Sequence, residues 1–497
     1  MQLLSDIRFT FTNIKNLLRL LLFRNPDKSC KIMENNNLDL FSTLTSSLLV
    51  PIVSYLPFKE AVRTSILSKE WRNIWRETKN IEFHEKFFVD LQETEEKQRI
   101  QRSSFFDFAR NFVAGYPQGD IRKFAMTCSK PESFLTDIQS FIIFAVSRNV
   151  RELELNFWDP RWNEEDDDEN HPAVVELPYQ VYLNEGLESL KLFSCNFDVS
   201  RLSNFKILKE VAFGWIEMRM VSIKFLLVCC PLIETLSLKK CWNIDHLEIC
   251  LPDLRLKNLV LDKCNFVDDF FWIEGPMLRF LKYSGKVGHF HMYNQRQMVE
   301  ADLDFGMEPE FFEVGTLLYD FLQEFYAVKV LTVCSVLLQL IPQGEEPVSL
   351  KSPLNVRHLI LKTAMHAFEF YGINFMIRSC PKLKILTLDI GPAKIFPDYE
   401  PGFELNPQQF WSNNLWPVPR CIHRSLEVVN VKGFKGTVSE LQVLEYIINR
   451  GPKLRKLNLF LSDEEDENGQ NRKSYMARVH YITQFRTPSL NLRVFVF

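Results

Sequence analysis

The sequence predicts an α/β fold: a solenoid of short parallel strands preceded by a small unit of three short helices. Three observations predict it. An apolar triplet, spaced by three residues and then by two, recurs twelve times between Ile121 and Leu459. Segments of helical period precede several triplets and stop at Cys-Pro or Gly-Pro. A run of Leu, Ile and Trp from Leu44 to Trp75 has helical spacing but is too short to bury its own side chains.

Composition permits such a body. The 497 residues suffice for about two to four ordinary domains or one long repeat array. Apolar residues make up 46% of the chain, and Phe alone numbers 43, enough for a large core. Lys plus Arg is 59 and Asp plus Glu is 63, a net charge of -4 that gives no general footprint for nucleic acid. The 11 cysteines are odd in number and lack a compact framework, so they read as reduced and mostly buried, with a nuclear or cytoplasmic location expected. No window holds eighteen consecutive apolar residues, so no membrane partner is expected.

Residues 1–40 read as an N-terminal extension, weakly packed or disordered. "NIKNLLRLLLFRNP" (Asn13–Pro26) is apolar and basic, as a targeting segment would be, but Asp6 lies nearby and no small-residue cleavage site is evident. Met33 is a second conceivable start.

The helical unit follows over 41–80. Leu44, Leu48, Leu49, Ile52, Val53 and Leu56 fall at helical spacing, with Pro51 expected to kink or shorten the helix. Pro57 restarts the chain into a second short helix through Val62 and Ile66. Ser68 is placed to cap a third, "KEWRNIW", which sets Trp71 and Trp75 four apart on one face. The pattern fits either packing onto the following body or a docking surface for a partner.

"LTSSLLVPIVSYLPFKEAVRTSILSKEWRNIW" resembles the F-box of plant F-box proteins with leucine-rich repeats. The resemblance implies that this unit binds a Skp1-like adaptor and, through it, a cullin. It places the contact on Leu44, Leu48, Leu49, Ile52 and Leu56, with Ile66, Leu67, Trp71 and Trp75 completing or supporting the surface. The opening departs from the family wording: Leu44-Thr45-Ser46-Ser47 stands where Leu-Pro-Asp-Glu is usual, and Pro51 is unusual inside the helix. Both changes bear on adaptor affinity.

The triplets then run through residues 81–415, a repeat body with loop insertions. Examples are Leu187/Leu190/Leu192, Ile233/Leu236/Leu238, Leu256/Leu259/Leu261 and Leu383/Leu386/Leu388. Most spacings lie between 21 and 29 residues, which is a leucine-rich-repeat signature. The last two positions alternate as a short strand demands, and stacking supplies the core that one repeat cannot build. Cys195, Cys241 and Cys264 follow three residues after their strands' last anchors, where a small side chain turns inward. The widest gap, Tyr283 to Val328, is expected to hide a degenerate repeat between Phe290 and Phe305. "MVSIKFLLVCCP", "FEFYGINFMIRSCP" and "VLEYIINRGP" read as helices ahead of their strands.

"CPLIETLSLKKC" and "CPKLKILTLDI" resemble the repeats that follow such F-boxes. Arg424–Leu459 resembles the FBD module that ends many of these proteins, within a C-terminal segment of 416–497 closed by "LNLRVFVF" as an edge strand. The positions between anchors would face a target protein: Glu188, Ser189 and Lys191 in one repeat, Thr235, Ser237 and Lys239 in another.

Other stretches carry less. "NEEDDDEN" (Asn163–Asn170) lacks the alternating ligands and central Gly of a calcium loop and reads as a solvated insertion. His289 and His291 share one side of a strand without a fuller zinc set. "GFKGT" (Gly433–Thr437) is the turn out of a strand rather than a nucleotide loop. Trp411 and Trp416 lie in a long loop, as rim anchors or as cover for the solenoid edge. No catalytic constellation and no cofactor site is expected. The function expected is target recognition in an SCF-type ubiquitin ligase. The alternatives are a repeat scaffold outside any ligase and a receptor in which a small molecule completes the target surface.

Overall fold

A computed structural model describes residues 45–497 apart from 68, 70, 163–169, 203–204, 252, 310–313, 342–348, 399–408, 412–416 and 466–470. The extension at 1–40, Leu44, Ser68, Trp416 and nearly all of the acidic run at 163–170 therefore lie outside the described residues. The chain forms two compact units, one built on residues up to Ile216 and the other on residues from Glu217 onward.

The first unit opens with helix α1 (Ser46–Val53), helix α2 (Phe58–Arg63) and a 3-10 turn at Thr64–Ile66. Pro51 sits inside α1, and the helix ends two residues beyond it. The missing proline amide removes one hydrogen bond, which a helix of one more turn would still tolerate. The third α-helix expected at "KEWRNIW" is not formed; Ile74–Glu77 is a 3-10 turn. Thr78, which closes that turn, is already extended at the entry to the first strand.

Parallel strands follow: β1 (Asn80–His84), β2 (Lys123–Thr127), β3 (Glu152–Asn156), β5 (Ser189–Phe193) and β7 (Glu210–Gly214), paired in that order. The two-residue strands β4 (Val175–Glu176) and β6 (Cys195–Asn196) pair separately. Helices α3 (Glu95–Ala114), α4 (Leu135–Val146) and α5 (Tyr179–Tyr182) connect the strands.

The second unit repeats the plan. Its ladder runs β8 (Thr235–Lys239), β10 (Asn258–Asp262), β12 (Phe280–Ser284), β14 (Glu300–Asp304), β15 (Val330–Val333), β16 (His358–Thr363), β17 (Ile385–Ile390), β18 (Val428–Phe434), β19 (Lys456–Leu461) and β20 (Arg493–Val496), every neighbour parallel. The segment resembling an FBD module supplies β18 and β19, and "LNLRVFVF" supplies β20 on the edge. The wide gap holds β14, with Met298, Ala301 and Leu303 as buried anchors. Helices α6 (Met220–Cys229), α7 (Val314–Gln323), α8 (Ser335–Leu340), α9 (Phe370–Ser379), α10 (Arg420–Arg424), α11 (Val438–Arg450) and α12 (Arg472–Ile482) lie between strands. A second parallel sheet is made by β9 (Leu247–Cys250), β11 (Phe270–Glu274) and β13 (His289–Tyr293).

One device recurs at the strand ends. Ser194, Trp215, Lys240 and Lys263 each follow a strand with φ between 48° and 53°. This left-handed residue costs about 1–2 kcal/mol for a non-glycine. It turns the chain so that the next side chain points inward, and Cys195, Ile216, Cys241 and Cys264 are buried there. Burying Ile216, the large aliphatic among them, returns about 1.5–3 kcal/mol. All ten cysteines among the described residues are free thiols. Burial pushes the Cys128 thiol up to about 12, with the nearby Glu85 charge adding to it.

Two glycines are required by close approach. In the bulge of β18, Gly433 has φ +67, and a Cβ there would stand 2.1 Å from the Ile390 carbonyl oxygen. Gly372 brings α9 onto α8 so closely that a Cβ would fall 1.9 Å from the Leu338 carbonyl oxygen. Because backbone rather than a side-chain tip blocks the space, Gly372→Ala is expected to cost about 3 kcal/mol. Urea unfolding of the variant checks this, and an unchanged midpoint would refute the close approach.

Candidate functional site

Two surfaces were expected to bind partners: the helical unit and the strand faces. In the helical unit the structure divides the expected residues. Leu49, Ile52, Leu56 and Trp71 are buried, forming one core with Val53, Ala61 and Ile74. Leu67 and Trp75 are half-buried and pack against that core. Leu48 is 50% exposed and Ile66 59% exposed. Tyr55, 57% exposed, joins them although the helical pattern did not single it out. Leu48 and Pro51 lie three apart on one face of α1, both exposed, and Tyr55 follows in the turn.

Trp75 belongs to the joint between helices and repeats. It stacks on Phe112 of α3 at 5.6 Å between ring centroids and meets Phe58 edge-on at 6.0 Å. Its indole nitrogen donates to the Arg72 carbonyl at 3.0 Å. Phe58 also meets Phe83 and Phe112 edge to face. Polar ties reinforce the joint: the Asn80 side-chain amide donates to the Ser54 carbonyl at 2.7 Å, and the Phe58 amide to Glu82 at 3.3 Å. The exposed face of α1 is thus carried on a packed base rather than on a swinging arm.

On the strand faces, odd strand positions look outward and even ones inward, the alternation a half-buried strand requires. In the first unit Glu188 pairs with Arg151 and Lys209 at 3.2 Å each. Ser189 donates to Glu210 at 2.8 Å, and Lys191 pairs with Glu210 at 2.7 Å. Lys123 bridges Glu82 and Glu154; burial works against its charge, but those carboxylates more than offset it and hold its pKa above the ordinary value. Burial lowers His84, with Glu82 opposing. The more exposed of these pairs, Arg151 and Lys209 with Glu188, contribute about 0–1 kcal/mol each, so a partner can exchange them cheaply.

In the second unit the Asn258 amide donates to the Thr235 hydroxyl at 3.0 Å. Ser237 and Lys239 are half-buried on the same strand. Farther along, Asn458 donates to Asn430, Asn430 to the Thr387 hydroxyl, and His358 Nε2 lies 2.9 Å from that hydroxyl. Burial holds His358 below its ordinary value. Trp411 is buried against Phe370 and Tyr446, covering α9 and α11. Among the described residues no group of three His, Cys, Asp or Glu side chains is placed to hold a metal, and no helix is long and apolar enough to cross a membrane.

Comparison with known proteins follows the same division. Residues 41–82 match the F-box domain, and residues 119–487 match the family described as At1g61320/AtMIF1, LRR domain. The chain is 35% identical to the F-box protein At3g62230 of Arabidopsis thaliana over 426 residues, covering 85% of this chain and 91% of that one. It is 24% identical to F-box/LRR-repeat protein 13 and to the F-box/FBD/LRR-repeat protein At1g78750 of the same plant, in each case over 88% of this chain and 93% of the relative.

Proposed function

The chain belongs to the plant F-box/leucine-rich-repeat family, and from that premise we propose that it is the target-recognition subunit of an SCF-type ubiquitin ligase. Its helical unit docks a Skp1-like adaptor, which links it to a cullin, and its repeats hold a target protein. The observation that carries the reading is a set of large apolar residues left exposed on an otherwise well-packed unit: Leu48 and Pro51 on one face of α1, with Tyr55 and Ile66 exposed beyond it. Leu49, Ile52, Leu56 and Trp71 support that face from beneath. Large apolar and aromatic residues dominate the energy of such interfaces. The chain contributes proximity, and the transfer chemistry belongs to its partners.

The positions Glu188, Ser189 and Lys191 in the first unit and Thr235, Ser237 and Lys239 in the second are proposed as target contacts, because repeat strands offer a ready binding face. Pull-down of the full chain with a panel of Skp1-like proteins tests the adaptor reading. Capture of at least one is the expected result. Capture of none would favour a repeat scaffold outside any ligase, a role that Pro51 inside α1 would then explain.

A further inference from the structure

The strands β9, β11 and β13 carry a surface that neither an adaptor nor the strand ladder accounts for. Their inward residues Leu247, Ile249, Phe271, Ile273 and Met292 are buried. Alternation therefore turns Glu248, Phe270, Trp272, Glu274, His291 and Tyr293 outward. Register sets Trp272 between Glu248 and His291, and Glu274 beside Tyr293. Phe270 and Trp272 are 36% and 41% exposed, and Tyr293 is 48% exposed. Their rings form a connected patch: Phe270 to His291 at 5.2 Å, Trp272 to Tyr293 at 5.8 Å and Phe270 to Trp272 at 6.4 Å. An exposed sheet face is ordinarily polar, so a row of uncovered aromatics marks an interaction site.

The patch borders an open groove of about 910 Å³ whose lining includes Glu248, Asp268, Asp269 and Glu274 but no Lys or Arg. Glu248 is held by Lys224 of α6, and Glu274 accepts from the Asn294 amide at 2.8 Å. Asp268 and Asp269 line the groove directly before Phe270 in the chain. Burial raises the Asp269 carboxyl above its ordinary range, with Lys286 opposing.

We propose that this groove receives an arginine side chain from a partner protein. The aromatic faces attract a cation through their negative π surface, and a guanidinium stacks on them while its fork reaches a carboxylate. An anionic or wholly apolar partner would take the lining carboxylates out of water and offer them no new donor. The site lies on a sheet of its own, separate from the β8-to-β20 ladder, and gives the chain a second point of recognition.

Fluorescence anisotropy on the full chain tests this, with a short labelled peptide bearing arginine at alternate positions and a matched peptide bearing citrulline. Citrulline keeps the shape and removes the charge. The arginine peptide is expected to bind about tenfold more tightly. Trp272→Ala and Asp269→Asn should each weaken it several-fold, while Glu234→Gln, just before β8, should leave it unchanged. Phe270→Ala gives the same reading if Trp272→Ala lowers the melting temperature. Equal binding of both peptides, no saturable binding, or no effect of either aromatic substitution would overturn the proposal. Free arginine amide binding as tightly as the peptide would also overturn it, pointing instead to a small cationic ligand. No adaptor is present in the assay, so its outcome and that of the adaptor pull-down are read separately.

Discussion

Leu48→Asp should abolish capture of a Skp1-like adaptor without changing the melting temperature, whereas Ile52→Asp should lose both capture and the fold of the helical unit. The two residues are four apart in α1 and were indistinguishable as members of one apolar pattern. The structure separates them. Leu48 is half exposed, so a carboxylate there stays in water, and its effect on stability should be within about 0.5 kcal/mol. In a partner's interface the same carboxylate would be buried among apolar groups, and the loss of a central anchor costs about 2 kcal/mol or more, roughly thirtyfold in affinity. Ile52 is 6% exposed within the core of Leu49, Val53, Leu56 and Trp71. A charge there has no partner and should cost more than about 4 kcal/mol. The checks are adaptor pull-down and thermal unfolding of both variants beside the wild type. Wild-type capture by Leu48→Asp would show that the exposed face of α1 is not the contact. A stable Ile52→Asp would show that the core is drawn wrongly.

The repeat body was legible because its anchors are nearly all large aliphatic residues at fixed offsets, and every such position is buried. The reading failed where a smaller or polar residue holds an anchor. Thr78, Ile81 and Phe83 form the first repeat, but Thr78 breaks the apolar pattern, although it is fully buried with its carbonyl accepting from the Tyr116 hydroxyl. Ala301 weakens the signal of β14 in the same way. The helical unit was harder. Spacing alone shows that Leu48, Leu49, Ile52, Trp71 and Trp75 are apolar and periodic, but it does not say which of them face each other. Leu49, Ile52 and Trp71 turn toward one another in a local core, while the place of Trp75 depends on Phe58 and Phe112, the latter distant in sequence and met only in the fold. The outer aromatic patch had one unused signal. "FFWIE" is apolar at both parities, so whichever face of that strand is inward, the other must expose aromatics.

Arg102→Met should destabilise the first unit by about 3–5 kcal/mol, more than any surface substitution in it. Arg102 of α3 is inside the protein, its side chain 5% exposed, and it forms a salt bridge to Glu85 at 2.5 Å, where the carboxylate is 7% exposed. The same carboxylate accepts from the Ser129 amide and, at 3.1 Å, from the Ser129 hydroxyl. Glu85 follows β1 and Ser129 follows β2, so one carboxylate fastens the ends of two strands to the helix that crosses between them. Removing the guanidinium leaves a charge out of water with Ser129 as its remaining donor among the described residues, and methionine fills the volume without restoring one. The pair as a whole need not stabilise the fold, because the cost of dehydrating two ions nearly cancels their attraction. The double variant Glu85→Met/Arg102→Met should therefore recover most of the loss. Urea unfolding followed by circular dichroism measures all three proteins. An Arg102→Met variant within about 1 kcal/mol of wild type would mean that water reaches Glu85 and that this ion pair does not fasten the strand ends to α3.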